Sequence, residues 1–558
     1  MHNEWTLRKR QFCTLWRVFL LRVVDFDLLS ADADPTKLIG QFATIFCTFS
    51  FVFSLPLVLI GGNELPMTDA WMFEHFLIET SMTAAGLIAI LNWDAAFPDK
   101  RDLLVLAPLP VKKSTMFLAK VGALFAAPGL ALVALNVFSG LLWPLLFRSS
   151  GSGFFGMLRA LPAYWITISA ASAFFVLTIL TLQGLAANLL PRQLFLRLSA
   201  VLQTVVMCTL LSVYLLGPSL ESPLALTSLQ NQRILDWLPS YWFLALFNQL
   251  NGSTHPALAP LAARAWIGLG FSTLGTCAAL LLSYFRLMPK IVEQPDILPQ
   301  MRSVSWSPRF GSPLTQALTL FSLRTLLRSR QHRMIFSFYL GLGITIVIGY
   351  AHTVPAGFGS IGATISRSFL FASILMMILT VVALRIVASI PISLQANWMI
   401  RITQVRSVRD YQKGVRFSWL ALGVTPVVLV IAAFLLFMYP WRPALGHLTL
   451  MAGLGLFLVE LCLTTFPKIP FTCSYLPGKA QIHFVFWGGL MLFIRLLNKA
   501  AEVEGRLLNR PLGCLMMILV VACAALAMRL LSESRALSTE DLLFEEEYPA
   551  GITTLRLS

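Results

Sequence analysis

The sequence predicts an all-α integral membrane protein of about twelve transmembrane helices. Three observations carry that reading. Of the 558 residues, 57% are hydrophobic and only 12% are charged, whereas soluble domains run at roughly 25% charged. The apolar runs are about twenty residues long, the length needed to cross the hydrocarbon core as a helix. They are continuous rather than alternating in ten-residue segments, which argues against a membrane β-barrel. The net charge of +16 fits loops that face lipid headgroups on the cytoplasmic side, so no nucleic-acid binding is read from it.

Residues 1–37 are basic and aromatic, with Trp5, Arg8, Lys9, Arg10, Trp16, Arg17 and Arg22. Such a segment suits an interfacial helix, with tryptophan at headgroup depth and arginine snorkelling to water. It is not a signal peptide, because Arg17 and Arg22 interrupt any apolar core. Six spans follow, over 38–60, 71–91, 117–141, 163–185, 198–216 and 266–285. After the basic linker 286–333, six more run over 334–350, 369–388, 417–439, 448–466, 484–497 and 511–527. The eleventh is the shortest. The tail is acidic, with Glu545, Glu546 and Glu547.

With both termini in the cytoplasm, the inner segments hold most of the 42 lysines and arginines, as the positive-inside rule requires. Arg495, Lys499, Arg506 and Arg510 fall outside in this arrangement, unless the eleventh span is re-entrant. The layout reads as two halves, 1–290 and 291–558. Each opens with a basic, partly apolar segment and carries a helix-forming cytoplasmic loop after its second span. Six spans per half is an even number, so both halves share one orientation, a parallel repeat about the membrane normal.

Several chemistries are absent from the sequence. No P-loop occurs, since the nearest Gly-Lys pair, Gly478-Lys479, has Cys473 where the first glycine belongs and Ala480 after the lysine. No HExxH, no Cys/His metal spacing and no nucleophile elbow occurs. The eight cysteines are scattered through apolar runs and read as small buried residues. An ion at bilayer depth costs roughly 2.5–3.5 kcal/mol, so Glu79 in the second span and Glu460 in the tenth are candidates for a substrate path. Glu74 and His75 read as lying near the outer interface. Glu79 stands about 140° around the helix from Glu74, which rules out a carboxylate pair on one face. Pro56 and Pro128 within spans, and Pro144 just beyond the third, read as kinks satisfied by neighbours. Between spans five and six, Trp237, Pro239, Trp242 and Phe243 belong to an aromatic stretch too short to span, suited to a partly inserted or interfacial helix on the outer side.

The loop after the second span contains Phe97-Pro98-Asp99-Lys100-Arg101-Asp102 and Leu106-Ala107-Pro108-Leu109-Pro110, and the third span opens on Phe117-Leu118-Ala119-Lys120. Asp99 and Asp102 suit the start of a short helix, and Pro108 and Pro110 its stop. In these residues and in layout the chain resembles the permease subunits of ATP-binding-cassette exporters of the type-2 class. That resemblance implies a basic interfacial helix, six spans, a coupling helix between spans two and three, and a re-entrant outer segment between spans five and six, here around Trp237, Pro239, Trp242 and Phe243. The second half matches more loosely, with a connecting helix at 321–330 and a coupling helix from Pro391 to Gln404. A family permease usually supplies one six-span unit, whereas this chain holds two. By the resemblance, Asp99, Lys100, Arg101, Asp102 and Pro110 dock on an ATPase, as do Asn397, Trp398 and Arg401.

The resulting expectation is the permease of an ATP-driven exporter in a bacterial inner membrane, without catalysis of its own. It binds no cofactor itself and uses ATP through a partner ATPase subunit. Its other partners are membrane lipid and, as an open alternative, a second permease copy. Two further readings stand beside it. One is an ion- or proton-coupled transporter using Glu79, Glu460 and His75. The other is a membrane transferase, which would need clustered carboxylates or histidines at a membrane face.

Overall fold

The computed structural model describes residues 2–24, 35–60, 67–93, 108–146, 153–217, 223–252, 255–256, 258–283, 312–352, 365–390, 408–464, 471, 483–508 and 510–538. Among the described residues there is no strand. The chain divides into two compact units, Met1–Arg302 and Ser303–Ser558, where the sequence reading puts the join at 290/291.

In the first unit, α1 (His2–Val24), α2 (Pro35–Ile60), α3 (Met67–Leu91) and α4 (Lys113–Asn136) are followed by the short α5 (Ser139–Leu146). Then come α6 (Gly153–Leu189), α7 (Arg192–Leu216), α8 (Pro223–Thr227), α9 (Leu229–Leu235), α10 (Pro239–Leu250) and α11 (Leu258–Leu282). The third expected span, 117–141, is therefore broken. α4 stops at Asn136, whose side-chain amide donates to the Leu132 carbonyl at 3.0 Å and so competes with the continuing ladder. Pro144 lies inside α5, while Pro128 is carried within α4 and Pro162 within α6. The core of the unit lies where α3, α6, α10 and α11 meet, around Ile78, Met82, Ile168, Phe243 and Ala265. α6 and α11 approach closely: a Cβ on Gly275 would stand 2.7 Å from Thr181 Cγ2. Glycine at that contact allows the two backbones to pack.

In the second unit, α12 (Pro313–Arg328), α13 (Arg330–His352), α14 (Arg367–Ala388) and α15 (Val408–Trp419) run on through a π turn, Leu420–Val424, into α16 (Thr425–Met438). α17 (Trp441–Thr464), α18 (His483–Leu507) and α19 (Pro511–Ser538) complete it. α14 is the central helix, with Phe369, Leu370, Met377 and Val381 almost fully buried. Gly455 of α17 faces the π turn, and a Cβ there would stand 2.5 Å from Val424 Cγ1. The ninth expected span, 417–439, is thus the later part of a helical run that starts at Val408.

Among the described residues, eight helices are long and apolar enough to cross a membrane, and shorter apolar helices cover 43–52, 201–216 and 332–347. These are the marks of a multi-pass membrane protein. α19 is almost unburied, exposing Leu515, Met516, Leu519, Val520, Leu526 and Leu530, as a lipid-facing helix should. The cysteines correct the sequence reading for the same reason. None of the seven described is buried, and Cys13, Cys277 and Cys523 are exposed. Where the surroundings are lipid, a small apolar side chain has no need of the protein interior.

Candidate functional site

In the first unit, α3 is the organising element. Its exposed apolar residues Met72 and Phe76 look away from the bundle while Trp71, Glu74, His75, Ile78 and Met82 are buried. Glu74 and His75 therefore lie inside the helix bundle. They are tied to α10, the twelve-residue helix that Pro239 opens at its first turn, where its missing N–H costs nothing. His75 Nε2 is 2.9 Å from Ser240 Oγ, and its ring stacks on Tyr241 with centroids 4.1 Å apart. Asn248 Nδ2 donates to Glu74 Oε2 at 2.9 Å, while its Oδ1 accepts from Trp71 Nε1 at 3.2 Å. Trp143 also donates to Glu74. Both edges of one amide are satisfied, so a buried carboxylate keeps two donors. Glu79 Oε2 stands 3.8 Å from His75 Nδ1.

A second polar chain lies where α4 breaks. Tyr164 donates to Asn136 Oδ1 at 2.8 Å, and Asn136 Nδ2 donates to Ser81 Oγ at 2.9 Å. Ser139 Oγ lies 3.1 Å from the Tyr164 hydroxyl. The far end of α3 is capped by side chains from other helices. Gln203 of α7 donates to the Ile90 carbonyl at 2.7 Å, Gln183 of α6 donates to the Trp93 carbonyl, and Trp93 Nε1 donates to Ser199 Oγ at 2.9 Å. The last carbonyls of a helix have no partners within it, and here two glutamines supply them.

The second unit contains a tighter group. Ser373 of α14, His447 of α17 and Glu504 of α18 are all buried. Ser373 Oγ is 2.9 Å from the Leu370 carbonyl and 2.9 Å from His447 Nε2. A hydroxyl has one proton, and the carbonyl can only accept. Nε2–H is therefore the donor to Ser373. His447 Nδ1 meets Glu504 Oε1 at 2.5 Å, a direct hydrogen bond between ring and carboxyl. Ser373, mid-helix with its own proton committed and no exposed surface, is not placed to attack anything.

Glu460, the other intramembrane acid expected on a substrate path, is paired. Arg416 Nη2 donates to Glu460 Oε2 at 3.0 Å, and Arg416 Nε stands 2.5 Å from Oε1. Both are buried, and the two-point contact suits a guanidinium.

Of the other expected residues, Trp237 is exposed, outside α10, whereas Trp242 is half-buried and Phe243 is fully buried within it. Trp242 Nε1 donates back to the Leu235 carbonyl at 2.8 Å. Pro110 is exposed, and its carbonyl accepts from Gln11 Nε2 of α1 at 3.3 Å. Asp99, Lys100, Arg101, Asp102, Asn397, Trp398 and Arg401 lie outside the described residues. The basic loop at 495–510 has a local explanation. α18 runs through it, burying Leu497, Ala501 and Glu504 on one face, while Glu502 pairs with Lys499, Arg506 and Arg367.

Sequence reasoning missed Ser240, Asn248, Ser373, His447, Glu504 and Arg416. Isolated polar residues beside aromatic or charged neighbours look like interfacial residues until another helix is known to cover them. Among the described residues, no three His, Cys, Asp or Glu side chains gather as a metal site requires. No family model, curated protein or solved structure matches the chain.

Proposed function

We propose that this chain is the membrane-embedded transport component of an exporter driven by a separate ATPase of the ATP-binding-cassette class. The observation that carries the reading is α10. It is twelve residues long, too short to span, yet it is buried among α3, α6 and α11. A short buried helix between the fifth and sixth spans is what the resemblance to type-2 permeases implies.

Its ties give the reading a mechanism. α3 leads at its C-terminal end into the loop that contains Asp99, Lys100, Arg101 and Asp102. At 1.5 Å per residue, His75 lies about 24 Å along the helix from Leu91. A rigid α3 can thus carry a push on that loop to the His75–Ser240 and Glu74–Asn248 contacts, and so to α10. The glutamine caps from α6 and α7 hold the driven end of α3. α1 bears on the far side of the same loop through Gln11 and Pro110. ATP is then used by the partner, and this chain converts the partner's motion into rearrangement of its helices.

The test is purification of the tagged full chain from the cells that make it. An ATPase subunit with a Walker A motif should co-purify, and reversing Arg101 and Asp102 (R101D/D102R) should lower its association or its coupled hydrolysis. A chain that purifies without an ATPase, or a variant with unchanged coupling, would contradict the reading.

A second reading is favoured by one observation, the buried 2.5 Å contact between His447 and Glu504. An ion- or proton-coupled transporter needs a buried group of this kind. A protonophore separates the two: it stops a proton-coupled transporter and leaves an ATP-driven one working while ATP lasts.

A further inference from the structure

A cavity of about 380 Å³ opens in the second unit between the start of α12, the α15–π-turn run and α19. Its lining is chemically mixed. It holds the cations Lys413, Arg416 and Arg529, the hydroxyls of Ser312 and Thr315, and the apolar Phe417 and Leu420. Ser312 is the N-cap of the sixteen-residue α12, its hydroxyl accepting from Thr315 N, and the first turn carries no acid. Pro313 has no N–H and Ser312 takes that of Thr315, so what the start of α12 adds beside the three cations is the positive end of the helix dipole.

Two of these cations have a carboxylate beside them. Glu460 accepts one Nη2 proton of Arg416, and its other oxygen makes only an ion-pair contact with Nε; a guanidinium has five N–H donors. Glu533 meets Arg529 Nε at 3.3 Å on an exposed face of α19, a contact of the kind that contributes little in water. The lining itself carries three cations and no acid.

Its position decides which anion it suits. Lys413 and Arg416 are near the start of the apolar run Tyr411–Phe437, and Arg529 is near the end of Pro511–Ser534. The cavity thus sits at a membrane–water boundary. Phe417 is 44% exposed beside it, and Leu526 and Leu530 of α19 continue the apolar surface at 57% and 59%. A phosphate held by these cations would have apolar side chains beside it.

We infer that this cavity binds the phosphate headgroup of an anionic phospholipid, with Lys413, Arg416 and Arg529 on the phosphate and the acyl chains along Phe417 and α19. The inference does not depend on the ATPase reading, and its failure would leave that reading untouched.

The test uses the full chain, purified in detergent and stripped of lipid, with native mass spectrometry as the readout. The probes are phosphatidylglycerol, phosphatidylcholine and inorganic phosphate. Phosphatidylglycerol should be retained in preference to phosphatidylcholine, and millimolar phosphate should not displace it. The exposed pair is changed together, K413A/R529A, leaving the buried Arg416 intact. This should weaken phosphatidylglycerol retention by roughly tenfold or more, while K499A on α18 should leave it unchanged. A photoactivatable phosphatidylglycerol should crosslink to peptides from 408–424 or 511–534 in the unaltered protein, which keeps the test independent of whether the variant folds. Equal retention of the two lipids, full retention by K413A/R529A, or crosslinks confined to other helices would overturn the inference. Displacement by inorganic phosphate would assign the cavity to a soluble anion instead and overturn the lipid.

Discussion

His75 and His447 are each placed between a serine hydroxyl and a glutamate, one in each unit, and the two groups are built differently. His75 and Glu79 are four residues apart on α3, with 3.8 Å between ring and carboxylate, and only Ser240 comes from another helix. Ser373, His447 and Glu504 come from three helices, and the ring–carboxylate distance is 2.5 Å. The first group joins two elements and leaves slack between its ring and its carboxyl group. The second fastens α14, α17 and α18 at one point. A polar contact that must shift during transport is better built loosely, whereas one that fixes helices relative to each other gains from short, fully satisfied bonds. On the transport reading proposed above, the first unit would carry the moving contact and the second unit the fixed ones.

The largest test of that contrast is the Arg416–Glu460 pair, the other fixed contact of the second unit. Glu460→Ala leaves a buried guanidinium without its partner and should cost about 3–5 kcal/mol. The double replacement R416M/E460M should recover most of that loss. Unfolding of the purified protein in mixed micelles measures both. Next in size is His447→Phe, which strands Glu504 and should cost about 2–3 kcal/mol. His75→Phe should cost about 1 kcal/mol. Equal losses at the two histidines would break the comparison. Gly455→Ala puts a methyl group into Val424 beside the π turn and should cost about 1–2 kcal/mol through overpacking. A neutral result would show that the turn yields easily.

The smallest expected effect lies at Glu502. The Lys499 hydrogen bond and charge, with the charges of Arg506 and Arg367, hold its carboxyl below the ordinary carboxylate range. Folding therefore disfavours its protonation. The contribution is fully present above the carboxylate pKa of the unfolded chain, and it is lost as pH falls through the lowered folded value. The melting-temperature difference between the unaltered protein and Glu502→Gln should be small near pH 6 and should vanish on acidification. A difference that grew as pH fell would reverse the sign.

Much of the fold was legible because the bilayer fixes how long an apolar run must be. The runs at 71–91, 369–388 and 511–527 lie within helices long enough to cross. Boundaries were less legible where side chains intervene. The break after Asn136 depends on an amide turning back on its own helix while also meeting Ser81 and Tyr164. The polar sites were legible only by halves. Glu460 stood out as an acid in an apolar run, but Arg416 is 44 positions away, one residue before the expected ninth span. His447 fell one residue before the tenth, and Glu504 fell in what read as an outer loop. Each partner is on a different helix, and spacing along one helix says nothing about which helix will lie opposite.

The central claim, that a partner drives this chain through two loops on one face of the membrane, is tested most directly by cysteine labelling. Lys100→Cys and Asn397→Cys, introduced separately after the native cysteines are replaced, are exposed to a membrane-impermeant maleimide in intact cells and in inverted vesicles. The account predicts that both are protected in intact cells and both are labelled in inverted vesicles. Labelling of the two positions from opposite sides of the membrane would contradict it.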